Sequence, residues 1–193
     1  MRRPPLPAMT HPTTFTTLLL AIGLACTGCV HRIHVTPLPV TPSSITIPRT
    51  LQTIIAPLSL EGADHRPGIS FLDWSQHDLS QGIIGYLQQR GTFTSVSPDP
   101  ADLTLRVATK LSLTSRHGRY HYRITLQADT YEKSQLTKSY RVDRTAAGSA
   151  VRWVTASDRD PIETALQLAL EDLLERIEAD RPLYINQTEP SKP

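Results

Sequence analysis

Regular alternation of apolar and polar side chains over residues 103–128 constrains the fold of this chain more than any other feature. Because successive side chains of a β-strand point to opposite faces, such alternation predicts strands with one buried and one wet face. Two alternating runs flank the turn-like sequence Arg116-His117-Gly118-Arg119. The apolar positions are Leu103, Leu105, Val107, Leu111 and Leu113 in the first run, and Tyr120, Tyr122, Ile124, Leu126 and Ala128 in the second. The sequence therefore predicts a long hairpin.

Two further strands complete the predicted sheet. Residues 53–60 form a short apolar run suited to a first strand, and Pro57 favours a strand end or an edge. After a turn at 132–135, Leu136, Tyr140 and Val142 indicate a third strand of the meander. Alternation of this kind is typical of an antiparallel sheet covered on one side only.

Two amphipathic helices are available to cover the apolar face. The first is predicted to begin after Ser75 as N-cap and to end at Gly91, with Gly82 and Gly85 lying close on the sheet. Phe93 and Val96 then lead into a turn at residues 98–100. The second is predicted to begin at Asp160 as N-cap, and its apolar stripe comprises Ile162, Leu166, Ala169, Leu170, Leu173, Leu174 and Ile177. The predicted fold is an α+β two-layer sandwich of order β-α-β-β-β-α, with a mostly antiparallel four-stranded sheet and both helices on one face.

The N-terminus carries a second informative pattern. Arg2 and Arg3 precede an uncharged apolar run at 15–25, which leads through small residues into Cys26 and Cys29. This run is too short to cross ~30 Å of hydrocarbon and is typical of a secretory signal. It resembles a bacterial lipoprotein signal, in which a cysteine after a small residue is acylated. Cys26 is the favoured lipidation site and Cys29 the alternative; a Cys26–Cys29 disulfide is the third possibility.

These patterns divide the chain into four predicted segments. Residues 1–25 are the signal peptide, extending to 28 if Cys29 is lipidated. Residues 26–50 are a Pro/Thr-rich tether, since their prolines favour extended backbone. Residues 51–181 are the α+β domain, and residues 182–193 are a disordered tail.

Three stretches together resemble a group of small Gram-negative envelope lipoproteins. They are the signal, the helix end Tyr86-Leu87-Gln88-Gln89-Arg90-Gly91 followed by Phe93 and Val96, and the strand opening Ala101-Asp102-Leu103-Thr104-Leu105. The group comprises LptE-like lipoproteins of lipopolysaccharide transport, auxiliary lipoproteins of ABC-type transporters, and proteins with a TolB-N-terminal-like domain. The resemblance implies an accessory of a larger envelope machine with no chemistry of its own. Because Thr27 or Val30 follows the candidate cysteine, where aspartate commonly retains such proteins in the inner membrane, it also implies an outer-membrane protein facing the periplasm.

Charge and motifs argue against other function classes. The formal charge of +2 includes Arg2 and Arg3 of the signal, so the remaining chain is balanced and is not expected to bind nucleic acid. The pairs His31/His34 and His117/His121 lack the helical context and nearby carboxylates of a metal site. Asp158, Asp160 and Glu163 are better explained by helix capping than by catalysis. The sequence therefore predicts neither an enzyme nor a metal or other cofactor.

One cluster of cations is a candidate contact site. On the polar side and turn of the predicted hairpin lie Arg106, Lys110, Arg116, Arg119 and Arg123, together with His117 and His121. Such a surface can meet anionic headgroups, lipopolysaccharide phosphates or an acidic partner, or it can be an ordinary solvated sheet face. Two functions remain open: an accessory of an envelope protein complex, anchored to the membrane by its lipid, and a lipid- or lipopolysaccharide-binding module that uses the basic hairpin.

Overall fold

A computed structural model describes residues 31–62, 72–148 and 156–185. The signal peptide, Cys26, Cys29, Trp153 and the final residues 186–193 lie outside the described residues. The described elements, in chain order, are β1 (His31–Arg32), β2 (Ile47–Ile55), β3 (Ser59–Glu61), β4 (Leu72–Asp73), α1 (Gln76–Arg90), β5 (Phe93–Ser97), β6 (Leu103–Arg116), β7 (Arg119–Glu132), β8 (Gln135–Ala147), α2 (Ala156–Ala179) and α3 (Arg181–Ile185).

The main sheet is mixed, with strand order β5-β2-β6-β7-β8. The predicted meander is present, since β6, β7 and β8 pair antiparallel. The prediction of a mostly antiparallel four-stranded sheet is wrong in two respects. Phe93–Ser97 forms an edge strand rather than an approach to a turn, and β2 pairs parallel with both β5 and β6. A parallel pair requires a crossover connection, which α1 provides between β2 and β5.

The first strand begins earlier than predicted and is broken where Pro57 stands. β2 pairs with Leu103–Val107 of β6, and β3 then pairs with residues 110–112 of the same strand. The break falls at 56–58, where the amide of Ala56 still donates to the carbonyl of Val107 at 2.8 Å. Since proline has no amide hydrogen to donate, the ladder is interrupted and resumes two residues later.

The first helix has the predicted ends. Ser75 is its N-cap, with its hydroxyl accepting from the amide of Asp78, and Gly91 closes it in the left-handed conformation at φ 74°. Both assignments are confirmed. The buried side of α1 includes Leu79, Ile83 and Tyr86, which join the single core beneath the sheet.

The second helix has the predicted apolar stripe but starts earlier. All seven stripe residues, from Ile162 to Ile177, are at most 1% exposed. The helix begins at Ala156, so the prediction that Asp160 is the N-cap and Pro161 the first helical residue is wrong. Asp158, 1% exposed, accepts a hydrogen bond from the hydroxyl of Tyr122 on β7. This link holds the residues ahead of Pro161 against the sheet, so the helix begins before the proline although Pro161 donates no backbone hydrogen bond.

The described part of the predicted tether packs onto the domain. Residues 32–46, called the strap below, run along the helices before β2 begins. Ile33 and Val35 are 2% and 1% exposed, and Pro37 is also buried, whereas the residues between them are exposed. Residues 31–50 therefore do not form a free linker, because alternate apolar side chains bury themselves in the core.

A buried ion cluster fixes the strap to both helices. Arg90, 6% exposed, donates through Nη1 to the carboxylate of Glu171 at 2.7 Å and to the carbonyl of Thr41 at 2.7 Å. The Tyr86 hydroxyl donates to the other oxygen of Glu171 at 2.5 Å. Burial, followed by this carboxylate, raises the pKa of Tyr86. Ser43 adds a second attachment, donating its hydroxyl to Glu178 at 2.7 Å.

The predicted tail also begins later than residue 182. Arg181–Ile185 forms α3, and Tyr184 is only 1% exposed. The hydroxyl of Tyr184 lies 2.6 Å from that of Tyr140 on β8 and 3.2 Å from that of Thr130 on β7. These buried contacts hold residues 181–185 against the sheet.

The two glycines of α1 are expected to respond oppositely to alanine. A Cβ at Gly82 would lie 2.9 Å from the carbonyl oxygen of Val35 in the strap, whereas nothing lies within 4 Å of a Cβ at Gly85. The prediction that both glycines lie close on the sheet is therefore wrong, because Gly82 packs against the strap and Gly85 has open space beside it. We expect Gly82→Ala to destabilise the protein by about 1–3 kcal/mol and Gly85→Ala to stabilise it by up to about 1 kcal/mol through helix propensity. Urea unfolding of both variants tests this, and stabilisation by Gly82→Ala would contradict the packing of the strap.

Candidate interaction surface

The candidate contact residues lie on the face of the sheet opposite the helices and at the end of the hairpin. The register pairs Arg106 with Asp129, Lys110 with Thr125, and Ser112 with Arg123. Arg106, Lys110 and Arg123 therefore point to the same side, since the residues between them, such as Leu105 and Ile124, are buried beneath the helices. The structure brings these cations together with several acidic groups that were not singled out from the sequence.

Lys110 is paired with a carboxylate from β3. Its Nζ lies 2.6 Å from Oε2 of Glu61, and the hydroxyl of Ser112 donates to the same oxygen at 3.1 Å. The hydrogen bond from Lys110, followed by that from Ser112, lowers the pKa of Glu61. The predicted first strand ended at residue 60, so no sequence signal placed Glu61 beside the hairpin.

Arg123 is paired with a carboxylate from β8. Its Nη2 lies 3.1 Å from Oδ1 of Asp143, which also accepts from the hydroxyl of Thr125, and Nε of Arg141 lies 3.6 Å from Oδ2. The hydrogen bond from Thr125, with the positive charges of Arg123 and Arg141, lowers the pKa of Asp143. Because Asp143 follows the predicted inward residue Val142, continuing the alternation would have placed it on this face.

Arg106 is partnered by an aromatic ring. Its guanidinium carbon lies 4.8 Å from the centroid of Tyr131 on β7. A cation–π contact at an exposed site contributes about 0.5–1 kcal/mol. Three of the five candidate cations, Arg106, Lys110 and Arg123, are therefore engaged by groups of the chain itself.

The remaining two cations stand at the tip of the hairpin. Arg116 and Arg119 are directly opposite each other in the register, and both are exposed. Between them His117 and Gly118 have φ of 49° and 72°, the positive values that a two-residue hairpin turn of type I′ requires. Within the described parts of the chain, neither arginine has an ion pair.

A shallow groove runs along this face up to the tip. It encloses about 460 Å³ and is lined by Glu61, Lys110, Ser112, Thr114, Arg116, His121, Arg123, Thr125, Arg141 and Thr145. Cations outnumber carboxylates along this lining. The groove is open and wet, and its chemistry suits an anion or a hydrogen-bonding surface better than an apolar ligand.

Residues 31–62, 72–148 and 156–185 contain no group of three or more His, Cys, Asp or Glu side chains arranged to hold a metal ion. No helix within these ranges combines the length and apolarity needed to span a bilayer. His34, one of the paired histidines in the sequence, instead lies with Nδ1 3.0 Å from Oδ1 of Asp78.

Comparison with known proteins identifies a shared fold. No protein-family model matches the sequence, and no curated protein matches it either. The chain resembles the crystal structure of protein XCC0632 from Xanthomonas campestris, of family DUF330, with a TM-score of 0.51 and 16% identity over 80% of this chain and 96% of that one. At this identity the likeness shows the fold alone.

Two other solved structures are similar at lower scores. Protein CT253 from Chlamydia trachomatis has a TM-score of 0.47 at 13% identity, covering 69% of this chain and 98% of that one. A minor lipoprotein from Acinetobacter baumannii has a TM-score of 0.42 at 16% identity, covering 64% of this chain and 93% of that one.

Proposed function

We propose that this protein is a non-enzymatic lipoprotein, anchored in the outer membrane through an acylated Cys26 or Cys29, that serves as an accessory of a larger cell-envelope complex. The observation that carries the proposal is the short distance from these cysteines to the folded domain. Ile33, 2% exposed, follows Cys29 by only four residues. An anchor at either cysteine would hold the whole domain close to the bilayer.

The exposed face supports a role in docking. Helices cover one side of the sheet, while the other side presents long strands β6, β7 and β8 with polar side chains. Its ionic groups are arranged as pairs, such as Lys110–Glu61 and Arg123–Asp143, on a broad and open surface. A surface of this shape suits contact with another macromolecule, since small-molecule sites are usually concave and mostly apolar.

The alternative function, a lipid- or lipopolysaccharide-binding module, draws support from the groove and the basic tip. The groove is polar along its length, however, and an acyl chain needs an apolar tunnel to leave water. The phosphate-bearing part of a lipid is the portion that this surface suits. The accessory role therefore remains the leading proposal.

The anchor is tested by replacing both cysteines with serine. We expect Cys26→Ser/Cys29→Ser to lose the acyl group, so that the protein no longer remains in the membrane fraction after a high-salt wash. The single variants identify the acylated residue, with mass spectrometry of the purified protein as the measurement. Membrane retention of the double variant at wild-type level would overturn the anchor.

The accessory role is tested in the same strains. Deletion of the gene is expected to weaken the envelope barrier against detergents, and the wild-type protein, but not Cys26→Ser/Cys29→Ser, is expected to restore it. Site-specific crosslinking from Gln127 on the open face should yield one defined protein adduct, whereas crosslinking from Leu168 on the exposed side of α2 should not. Equal complementation by the unanchored variant, or no adduct from the open face, would contradict the role.

A further inference from the structure

The turn of the β6–β7 hairpin forms one end of the main sheet, beyond β3, which pairs as far as Ser112, and β8, which pairs as far as His121. β2 and β6 run parallel, and Ile55 at the end of β2 is opposite Val107. From there β6 continues to Arg116. At about 3.3 Å per residue, the hairpin extends roughly 30 Å past the end of β2.

The N-terminal end of the described chain lies at this same end of the domain. Gln76, at the start of α1, donates to the carbonyl of Ile55 at 3.3 Å. Just before it, the carbonyl of Asp73 accepts from the amide of Ile33 at 2.9 Å. The strap then runs to the opposite end, where the amide of Ile47 donates to the carbonyl of Thr92 after α1. Residue 31 therefore enters the fold near the end of β2, past which the hairpin continues toward its tip.

Chain length keeps the candidate lipid close to this end. Cys26 and Cys29 precede Ile33 by seven and four residues. A fully extended chain spans at most about 3.3–3.6 Å per residue, so the acylated cysteine lies within roughly 25 Å of Ile33. This reach is comparable to the roughly 30 Å by which the hairpin extends past the end of β2, so an anchored domain can set the hairpin tip at the membrane surface.

The tip has the chemistry of an anion site. Arg116 and Arg119 face each other across the two-residue turn, and like charges directly opposite in a hairpin are destabilising. Stability of the domain alone does not account for this pair. A phosphate between the two guanidinium groups removes the repulsion and accepts charge-assisted hydrogen bonds from both. His121 and Arg123 line the groove that leads away from the tip.

We infer that the hairpin tip is a second membrane contact, in which Arg116 and Arg119 bind phosphate headgroups of the anionic leaflet that holds the protein's own acyl anchor. This inference rests on the proposed function, because the anchor brings the tip to the membrane. A basic patch beside a lipid anchor is a usual second signal for membrane attachment. Each basic residue near an anionic surface adds about 1 kcal/mol, or about fivefold in affinity. The two contacts together fix the orientation of the domain on the bilayer.

Hydrogen exchange of the acylated full-length protein in nanodiscs tests the contact. We expect amides 114–121 to exchange about tenfold more slowly in nanodiscs containing phosphatidylglycerol than in phosphatidylcholine alone. Arg116→Glu/Arg119→Glu should abolish this protection, and high salt should weaken it through screening. Inorganic phosphate added to the phosphatidylcholine sample should give no protection, which separates a headgroup surface from a free phosphate site.

Lys133→Glu/Arg181→Glu is the matched control, since it reverses two exposed charges near the opposite end of the domain and should retain the protection. Equal exchange in both nanodiscs, or protection that survives Arg116→Glu/Arg119→Glu, overturns the inference, as does protection by inorganic phosphate alone. Mass spectrometry and flotation report the anchor separately. A protein that floats through its acyl chain while its tip exchanges freely overturns the membrane contact alone, whereas a protein without an acyl group overturns the anchor and the contact together.

Discussion

Replacing Leu170 with aspartate is expected to prevent stable folding. Leu170 is 0% exposed and lies in the centre of the apolar side of α2, against the sheet. An ionised carboxylate at this position has no partner and loses its hydration, and the site also loses the leucine packing. The combined cost is about 5 kcal/mol or more, comparable to the total stability of many domains. We expect loss of the cooperative urea transition and of the native near-UV circular dichroism.

Leu168→Asp is the matched control on the same helix. Leu168 is 45% exposed, because it lies two residues from Leu170 on the opposite side of the helix. The free energy of unfolding of the Leu168→Asp variant should differ from that of the wild type by only about 0.5 kcal/mol. Similar losses in both variants would show that α2 does not pack through the predicted stripe.

The parts of the fold that the sequence predicts correctly depend on local patterns. The hairpin of β6 and β7 is defined by alternation and by a two-residue turn, and the apolar side of α2 by its helical spacing. Ser75 and Gly91 mark α1 because capping requires particular side chains and a left-handed residue at fixed positions. Each of these signals lies within a few residues of the element that it specifies.

The errors concern pairings between distant segments. β5 is a short strand that follows α1 in the sequence, whereas its partner β2 precedes α1. β3 and β6 pair across a comparable length of chain. Such pairs gain their stability from burial and from the ladder of neighbouring strands, which no local window contains. The strap is different, since Ile33, Val35 and Pro37 alternate with exposed residues. This alternation could have predicted that the strap packs onto the core, but the prolines of the segment favoured the interpretation as a free tether.

The candidate surface was likewise predicted in part. Alternation placed Arg106, Lys110 and Arg123 on one face, and Asp143 could have been added by continuing the same count along β8. Glu61 could not have been added in this way, because its position beside Lys110 depends on the parallel pairing of β3 with β6. The consequence is functional, because Arg106, Lys110 and Arg123 have partners within the chain and only Arg116 and Arg119 of the five candidate cations have none among the described residues.

Arg90→Met is expected to destabilise the protein by about 3–5 kcal/mol. The guanidinium of Arg90 is buried between α1, α2 and the strap, where it neutralises Glu171 and lies 3.6 Å from a carboxylate oxygen of Glu178. Removing it leaves two largely buried carboxylates without their cation and frees the carbonyl of Thr41, while methionine retains most of the side-chain volume. Urea unfolding measures the loss, and faster hydrogen exchange at residues 41–45 should accompany it.

Two comparisons separate the buried cluster from an ordinary ion pair. Arg123→Met removes an exposed partner of Asp143 and should cost at most about 1 kcal/mol, because solvent screens that pair. Adding Glu171→Gln to Arg90→Met should recover part of the loss, since one of the uncompensated charges is then absent. Equal costs for Arg90→Met and Arg123→Met would mean that Arg90 is solvated and does not hold the strap. The expected difference instead makes Arg90 a residue that couples the strap, and through it the proposed anchor, to α1 and α2.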